Sequence, residues 1–168
     1  MDPVTLRPTT ASDLDFVTEA ERAAENLPFV TSWPRERHAT AIVQDDLAHW
    51  IIEHREVGRA GFVILAGLRD ANRSIEFRRI VVTAKRRGIG RAVVREVKRR
   101  AFGEMEAHRL WLDVKEHNER ARRLYRSEGF VEEGVLRECF RGEHGYESLV
   151  VMSLVASERR TRPVDSAP

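Results

Sequence analysis

The sequence has a single cysteine, Cys139. One thiol cannot close an internal disulfide or supply a cysteine-based zinc cluster, and Cys139 reads as a small strand residue. His108, His117 and His144 show no His-x-x-x-His spacing, so no metal is expected. No apolar stretch is long enough to cross a membrane. Met1-Asp2-Pro3 opens no basic, apolar signal region, which predicts a cytoplasmic protein. The chain also lacks charge of one sign. Its 29 Lys and Arg residues nearly balance 27 Asp and Glu, leaving a net charge of +2, which disfavours a general nucleic-acid binder. No internal repeat is apparent, and 168 residues suit one domain with a sizeable core.

What the sequence does have is local cationic density. The apolar run Ile80-Val81-Val82 reads as the end of a buried strand. After it comes Lys85-Arg86-Arg87-Gly88-Ile89-Gly90-Arg91. Then Ile89, Ala92, Val93, Val97 and Ala101 recur at helical spacing. This is strand, basic glycine turn, helix. A helix N-terminus offers unpaired N–H groups and the positive end of its dipole, and glycines let an anion approach that backbone closely. Lys85, Arg86, Arg87 and Arg91 add longer-range attraction. The pattern predicts a phosphate or pyrophosphate site. It is not a Walker loop, and Val93 occupies the third glycine position of a dinucleotide fingerprint.

The remaining elements follow from periodicity and turn chemistry. A strand is expected over residues 4–7 and a helix over 11–25, with Ser12 and Asp15 at capping-box spacing. Residues 29–33 are apolar but irregular, and a second helix is expected over 35–46. Strands follow over 49–54, 61–68 and 74–82, and their short connections predict an antiparallel meander. The strand over 110–114 follows a helical crossover and should lie parallel to 74–82. Asn118 is an expected N-cap for a helix that Gly129 stops. Strands over 130–137 and 147–155 pair across residues 142–145. From Ser157 onward apolar residues are almost absent. The division expected is one domain over 1–156 and a disordered tail over 157–168.

The order β-α-α-β-β-β-α-β-α-β-β, an α/β arrangement on a mixed sheet, resembles the GNAT superfamily of acyl-CoA N-acyltransferases over roughly residues 5–155. Two segments carry the resemblance. Lys85 to Gly90 is similar to the family's acetyl-CoA pyrophosphate loop, Arg/Gln-x-x-Gly-x-Gly/Ala, with Lys85 departing from the usual Arg/Gln and a short connection before it. His117 to Phe130 is similar to the signature Asn-x-x-Ala-x-x-Leu-Tyr-x-x-x-Gly-Phe. The end of the chain, from Gly145 to Leu149 onward, resembles the branch that includes ribosomal-protein N-terminal acetyltransferases.

The resemblance implies an acetyl-CoA-dependent N-acetyltransferase with direct attack in a ternary complex. The acceptor is a primary amine, either a protein N-terminus or a small metabolite, and a homodimer is a family-level expectation. It implies that the pantetheine arm pairs with backbone at Ile80, Val81 and Val82, that pyrophosphate sits on the amides from Arg87 to Arg91, and that Asn118 contacts CoA. Lys85, Arg86 or a helix arginine would meet the 3′-phosphate. Tyr125 is implied as general acid, because a phenol keeps its proton at neutral pH and can still give it to a thiolate. A backbone N–H near Val81 or Val82 is the implied oxyanion donor. Glu76 is the candidate base, with Glu53 and His54 as rivals. Even-numbered Glu76, Arg78, Ile80 and Val82 share a face unless a bulge intervenes. Phe29 and Trp33 are candidates for acceptor contact. Two other readings stay open: a silent acyl-CoA-binding sensor on the same scaffold, and a nucleic-acid module built on the arginine-rich helices.

Overall fold

The computed structural model describes residues 4–160. Strand β1 (Val4–Pro8) leads through a 3-10 turn (Ala11–Asp13) to α1 (Leu14–Arg22) and α2 (Arg35–Ala41). Strands β2 (Leu47–His54), β3 (Gly58–Ala66) and β4 (Ser74–Val82) follow, then α3 (Ile89–Gly103), β5 (Arg109–Lys115) and α4 (Glu119–Ser127). Strands β6 (Val131–Gly142) and β7 (Gly145–Val155) close the fold, with a final 3-10 turn at Ala156–Arg160. The strands form one sheet in the order β1-β2-β3-β4-β5-β7-β6. Every pairing is antiparallel except β4 with β5, as the helical crossover through α3 requires.

Two apolar layers cover the sheet. Val93, Val97 and Ala101 of α3 pack with Phe77, Leu110, Leu112 and Met152 on one face. Val17 and Ala20 of α1 and Ala41 of α2 pack with Ile51, Phe62, Ile64 and Val81 on the other. Strand β3 feeds both, with Val63 and Leu65 in the first layer and Phe62 and Ile64 in the second. Its continuous apolar run is therefore that of a central strand.

Several boundaries differ from expectation for identifiable reasons. The capping carboxylate is Asp13, not Asp15. It accepts the Thr10 N–H at 2.9 Å and two Arg7 bonds at 2.7 and 3.0 Å, so it is buried while Ser12 stays exposed. Helix α1 stops at Arg22 because the Asn26 side chain donates to the Ala20 carbonyl at 2.8 Å and turns the chain. Helix α2 stops at Ala41, and Asp46 instead accepts the Leu68 and Arg69 N–H groups, tying the turn before β2 to the end of β3. Strand β6 runs to Gly142 with two irregularities, at Glu132/Gly134 and Leu136/Phe140. Of the tail expected to be disordered, residues 157–160 lie in the final 3-10 turn and 161–168 fall outside the described residues. Among the described residues no helix is long and apolar enough to cross a membrane.

Candidate active site

The site begins where pairing ends. Strands β4 and β5 match at only three positions, Ser74 with Arg109, Ile75 with Leu110 and Glu76 with Trp111. Beyond Glu76 they diverge, and among the described residues the β4 edge facing β5 has no strand partner there. A bulge lies at the start of this divergence. Ile64 pairs with Arg79 and Leu65 with Phe77, so Arg78 is the extra residue. The bulge reverses the alternation: Ile75 and Phe77 face the α3 layer before it, and Ile80 and Val82 face that layer after it.

The opening forms a cleft of about 1170 Å³. Ile80, Val82, Val114 and Leu149 give it apolar walls. Phe29, Val30 and Thr31 of the α1–α2 loop and Phe140 of β6 frame one end. The N-terminus of α3 forms the other. Gly88 caps α3 with φ +73°, a conformation that favours glycine. The first bond into the helix runs from Ala92 N–H to the Gly88 carbonyl, so the amides of Ile89, Gly90 and Arg91 have no acceptor within the helix. Lys85, Arg86, Arg91, Arg120 and Arg123 line this end, and Glu25 also lines the cleft.

The structure brings most of the predicted residues together. Ile80, Val82, Lys85, Arg86, Gly88, Ile89, Gly90, Arg91, Asn118, Tyr125 and Phe29 all line the cleft. Val81 does not; its side chain is buried in the α1–α2 layer, which leaves only its backbone on β4. Arg87 points away and meets Glu56 at 3.3 Å. The Lys85 Nζ donates to Asn26 Oδ1 at 2.6 Å, tying the basic turn to the α1–α2 loop, and burial lowers its pKa. Asn118 caps α4, its Oδ1 accepting the Ala121 N–H at 3.2 Å. Tyr125 sits edge-on to Phe77 and Phe130, and burial raises the pKa of its phenol.

Other candidates lie elsewhere. Trp33 is buried in the α1–α2 layer, with the Arg37 guanidinium 3.8 Å and that of Arg79 4.6 Å from its ring, and does not line the cleft. Glu53 bonds Arg7 at 2.8 Å, and His54 accepts the Glu56 N–H at 3.2 Å. Both belong to β2, with β3 between it and β4. Glu76 bonds Arg78 at 2.6 Å, and the bulge puts it on the face opposite Ile80 and Val82, correcting the expectation that the even-numbered residues align.

Two features had no sequence signal beyond ordinary residue types. Asp113 lines the cleft from β5. Partial burial and then the Glu76 carboxylate raise its pKa, with Arg78 opposing. Glu128, after α4, receives Arg91 at 2.7 Å, Arg95 at 3.1 Å and Lys98 at 3.7 Å, which locks α4 and its Tyr125 against α3. Among the described residues no group of three or more His, Cys, Asp or Glu side chains could hold a metal ion.

A mixed sheet opened between its two parallel strands, with a glycine-led helix N-terminus at the end of the opening, is the N-acyltransferase fold. Residues 14–130 match the model of the acetyltransferase (GNAT) family, well over half the chain. The chain belongs to that family. It is 28% identical over 114 residues to a spermidine N(1)-acetyltransferase of Vibrio cholerae serotype O1; the match spans 67% of this chain and 66% of that relative, just under two thirds of its length. The fold is similar to that of a V. cholerae spermidine N-acetyltransferase in complex with CoA and spermine, with TM-score 0.86, 23% identity, and 96% and 100% of the two chains covered. A dodecameric V. cholerae spermidine N-acetyltransferase in an intermediate state gives TM-score 0.82 at 24% identity, covering 97% and 99%.

Proposed function

We propose that the chain is an acetyl-CoA-dependent N-acetyltransferase acting on a primary amine of a small molecule. The observation that carries this is the halt of the β4–β5 ladder after Glu76. The free edge from Phe77 to Val82 suits the amide-bearing arm of CoA, which can add to it as an extra strand while asking nothing polar of Ile80 and Val82. The N–H groups from Ile89 to Arg91 suit the pyrophosphate. Arg86, Arg120 and Arg123 line the cleft and suit the 3′-phosphate.

Three tasks remain for acyl transfer to an amine. Glu76 and Asp113 are a carboxylate pair on facing strands, and Asp113 is the member in the cleft. Asp113 takes the ammonium proton, directly or through water, with the Glu76 charge beside it. The amine nitrogen then bonds to the thioester carbonyl carbon. Backbone N–H near Val81 or Val82 stabilises the oxyanion. As the carbon–sulfur bond breaks, Tyr125 gives its proton to the leaving CoA thiolate. The second proton of the amine nitrogen leaves as the tetrahedral intermediate collapses and restores the Tyr125 phenol, so the products are an acetamide and free CoA.

The spermidine-acetylating relatives support a small-molecule acceptor over a protein N-terminus. They also make a homo-oligomer the expected assembly, since one is a dodecamer. The test is CoA release against a panel of amines that includes polyamines, amino acids and short peptides. Saturating acetyl-CoA should also raise the melting temperature by about 5–10 °C if present at ~100 times its Kd. A shift without release of CoA from any amine would favour an acyl-CoA sensor, and the absence of any shift would remove the cofactor assignment.

A further inference from the structure

The proposed reaction uses neither Glu21 nor the two histidines behind it. Glu21 and His38 are fully buried, and His49 nearly so. The His38 Nε2 lies 3.0 Å from Glu21 Oε2, the His38 Nδ1 3.1 Å from His49 Nε2, and the His49 Nδ1 2.9 Å from Thr9 Oγ1. The direction of this chain follows from its end. A carboxylate only accepts, so His38 Nε2 carries the hydrogen. With neutral rings, His49 Nε2–H donates to His38 Nδ1 and the Thr9 hydroxyl donates to His49 Nδ1. Burial is the main cause that lowers the His49 pKa, to about 4, and keeps that ring neutral.

The outward side of Glu21 faces the cleft wall. Its Oε2 also accepts the Trp33 N–H at 2.9 Å, and its Oε1 pairs with the Arg79 guanidinium. Arg79 in turn donates to the Thr31 carbonyl at 2.7 Å. One buried ion pair therefore grips the α1–α2 loop twice, at Thr31 and at Trp33. Thr31 and its neighbours Val30 and Phe29 line the cleft, whereas Trp33 is held behind them. Arg79 immediately follows the Arg78 bulge and precedes Ile80. The same side chain thus joins the strand proposed to hold the acyl donor to the loop that faces the acceptor.

We infer that Glu21 and Arg79 are positioning residues for the acceptor amine, setting the distance between the α1–α2 loop and the edge of β4. The inference rests on the amine-acetyltransferase reading. An ion pair suits this task because it is directional. The guanidinium holds the carboxylate and the Thr31 carbonyl in one fixed geometry, which an apolar contact would not do. Its loss should loosen the acceptor wall and leave the α3 end of the cleft intact, because Lys85 holds Asn26, which is anchored separately on the Ala20 carbonyl, and the β4 backbone keeps its pairing with β3.

The test avoids leaving a lone buried charge, which would endanger folding. In Glu21→Gln/Arg79→Met both charges go together, and the introduced amide can still accept from Trp33 and His38. Steady-state constants are measured for the best amine of the panel and for acetyl-CoA. The expected result is a rise of ~10-fold or more in amine KM with acetyl-CoA KM changed less than about twofold, the signature of a misplaced acceptor. Arg79→Lys keeps the charge without the planar fork and should recover part of the loss. Equal changes in both KM values, or wild-type constants in a folded double variant or in Arg79→Lys, would overturn the inference. Wild-type turnover decides the underlying activity separately: with no amine acetylated, that reading fails and this one falls with it.

Discussion

Gly61 and Val81 approach so closely that a Cβ on Gly61 would stand 1.9 Å from the Val81 carbonyl oxygen. Gly61 also has φ +142°, which L side chains rarely adopt. The contact seats β3 against the part of β4 that borders the cleft. Gly61→Ala must push that backbone outward or lose the pairing. We expect a loss of roughly 2–5 kcal/mol in urea unfolding, combining overpacking with backbone strain. A stability within about 0.5 kcal/mol of wild type would show that β4 is not held by this contact.

Tyr125 is buried between Phe77 and Phe130, so removing its hydroxyl keeps the ring packing. Tyr125→Phe should lower kcat by ~100-fold or more, the usual scale for a lost general acid. The acetyl-CoA melting shift should persist, because the amides proposed to hold the pyrophosphate belong to α3. Undiminished kcat would remove Tyr125 from the proton path.

Asp113 loses its proton at a higher pH than an ordinary aspartate, because partial burial and the Glu76 charge disfavour its anion. A base works in its deprotonated form. The acidic limb of kcat/KM against pH should therefore rise as Asp113 ionises, above the usual range near ~4. Asp113→Asn should flatten that limb and cut kcat/KM by about 100-fold. A wild-type profile in Asp113→Asn would leave the base elsewhere.

His49 gives a stability prediction of opposite origin. Its folded pKa is about 4, depressed from the ordinary histidine value by burial. Between pH 4 and roughly 6.5 the unfolded chain therefore binds more protons than the folded one. Stability should rise with pH across that window and be fully present above it. The upper bound from the shift is ~3–4 kcal/mol. Urea unfolding at pH 5 and pH 7 measures it, and His49→Gln should reduce the pH slope. An unchanged slope in that variant would assign the effect to other groups.

The glycine turn and the α4 signature were legible because each marks a helix start. Gly88 and Asn118 shape helix N-termini, and local sequence encodes such ends. The parallel β4–β5 pair was legible because a crossover helix leaves little choice of direction. The bulge at Arg78 had no marker in the sequence: nothing in Phe77-Arg78-Arg79 says which residue will go unpaired. Assigning Glu76 to the face of Ile80 failed for that reason alone, since one inserted residue inverts every later side chain. Trp33 likewise reads the same in a pocket or a core; Glu21 and Arg79, far apart in sequence, decide that it is held inside.

The order of elements, the family and the glycine-led start of α3 could be read from the sequence. Those depend on periodicity, turn residues and backbone donors, all properties of a few consecutive residues. Which carboxylate enters the cleft, and what ties the α1–α2 loop to β4, came from long-range packing. Asp113 and the Glu21–Arg79 pair acquire their surroundings from strands and loops tens of residues away, and the field and burial that give a charged group its chemistry come from those neighbours.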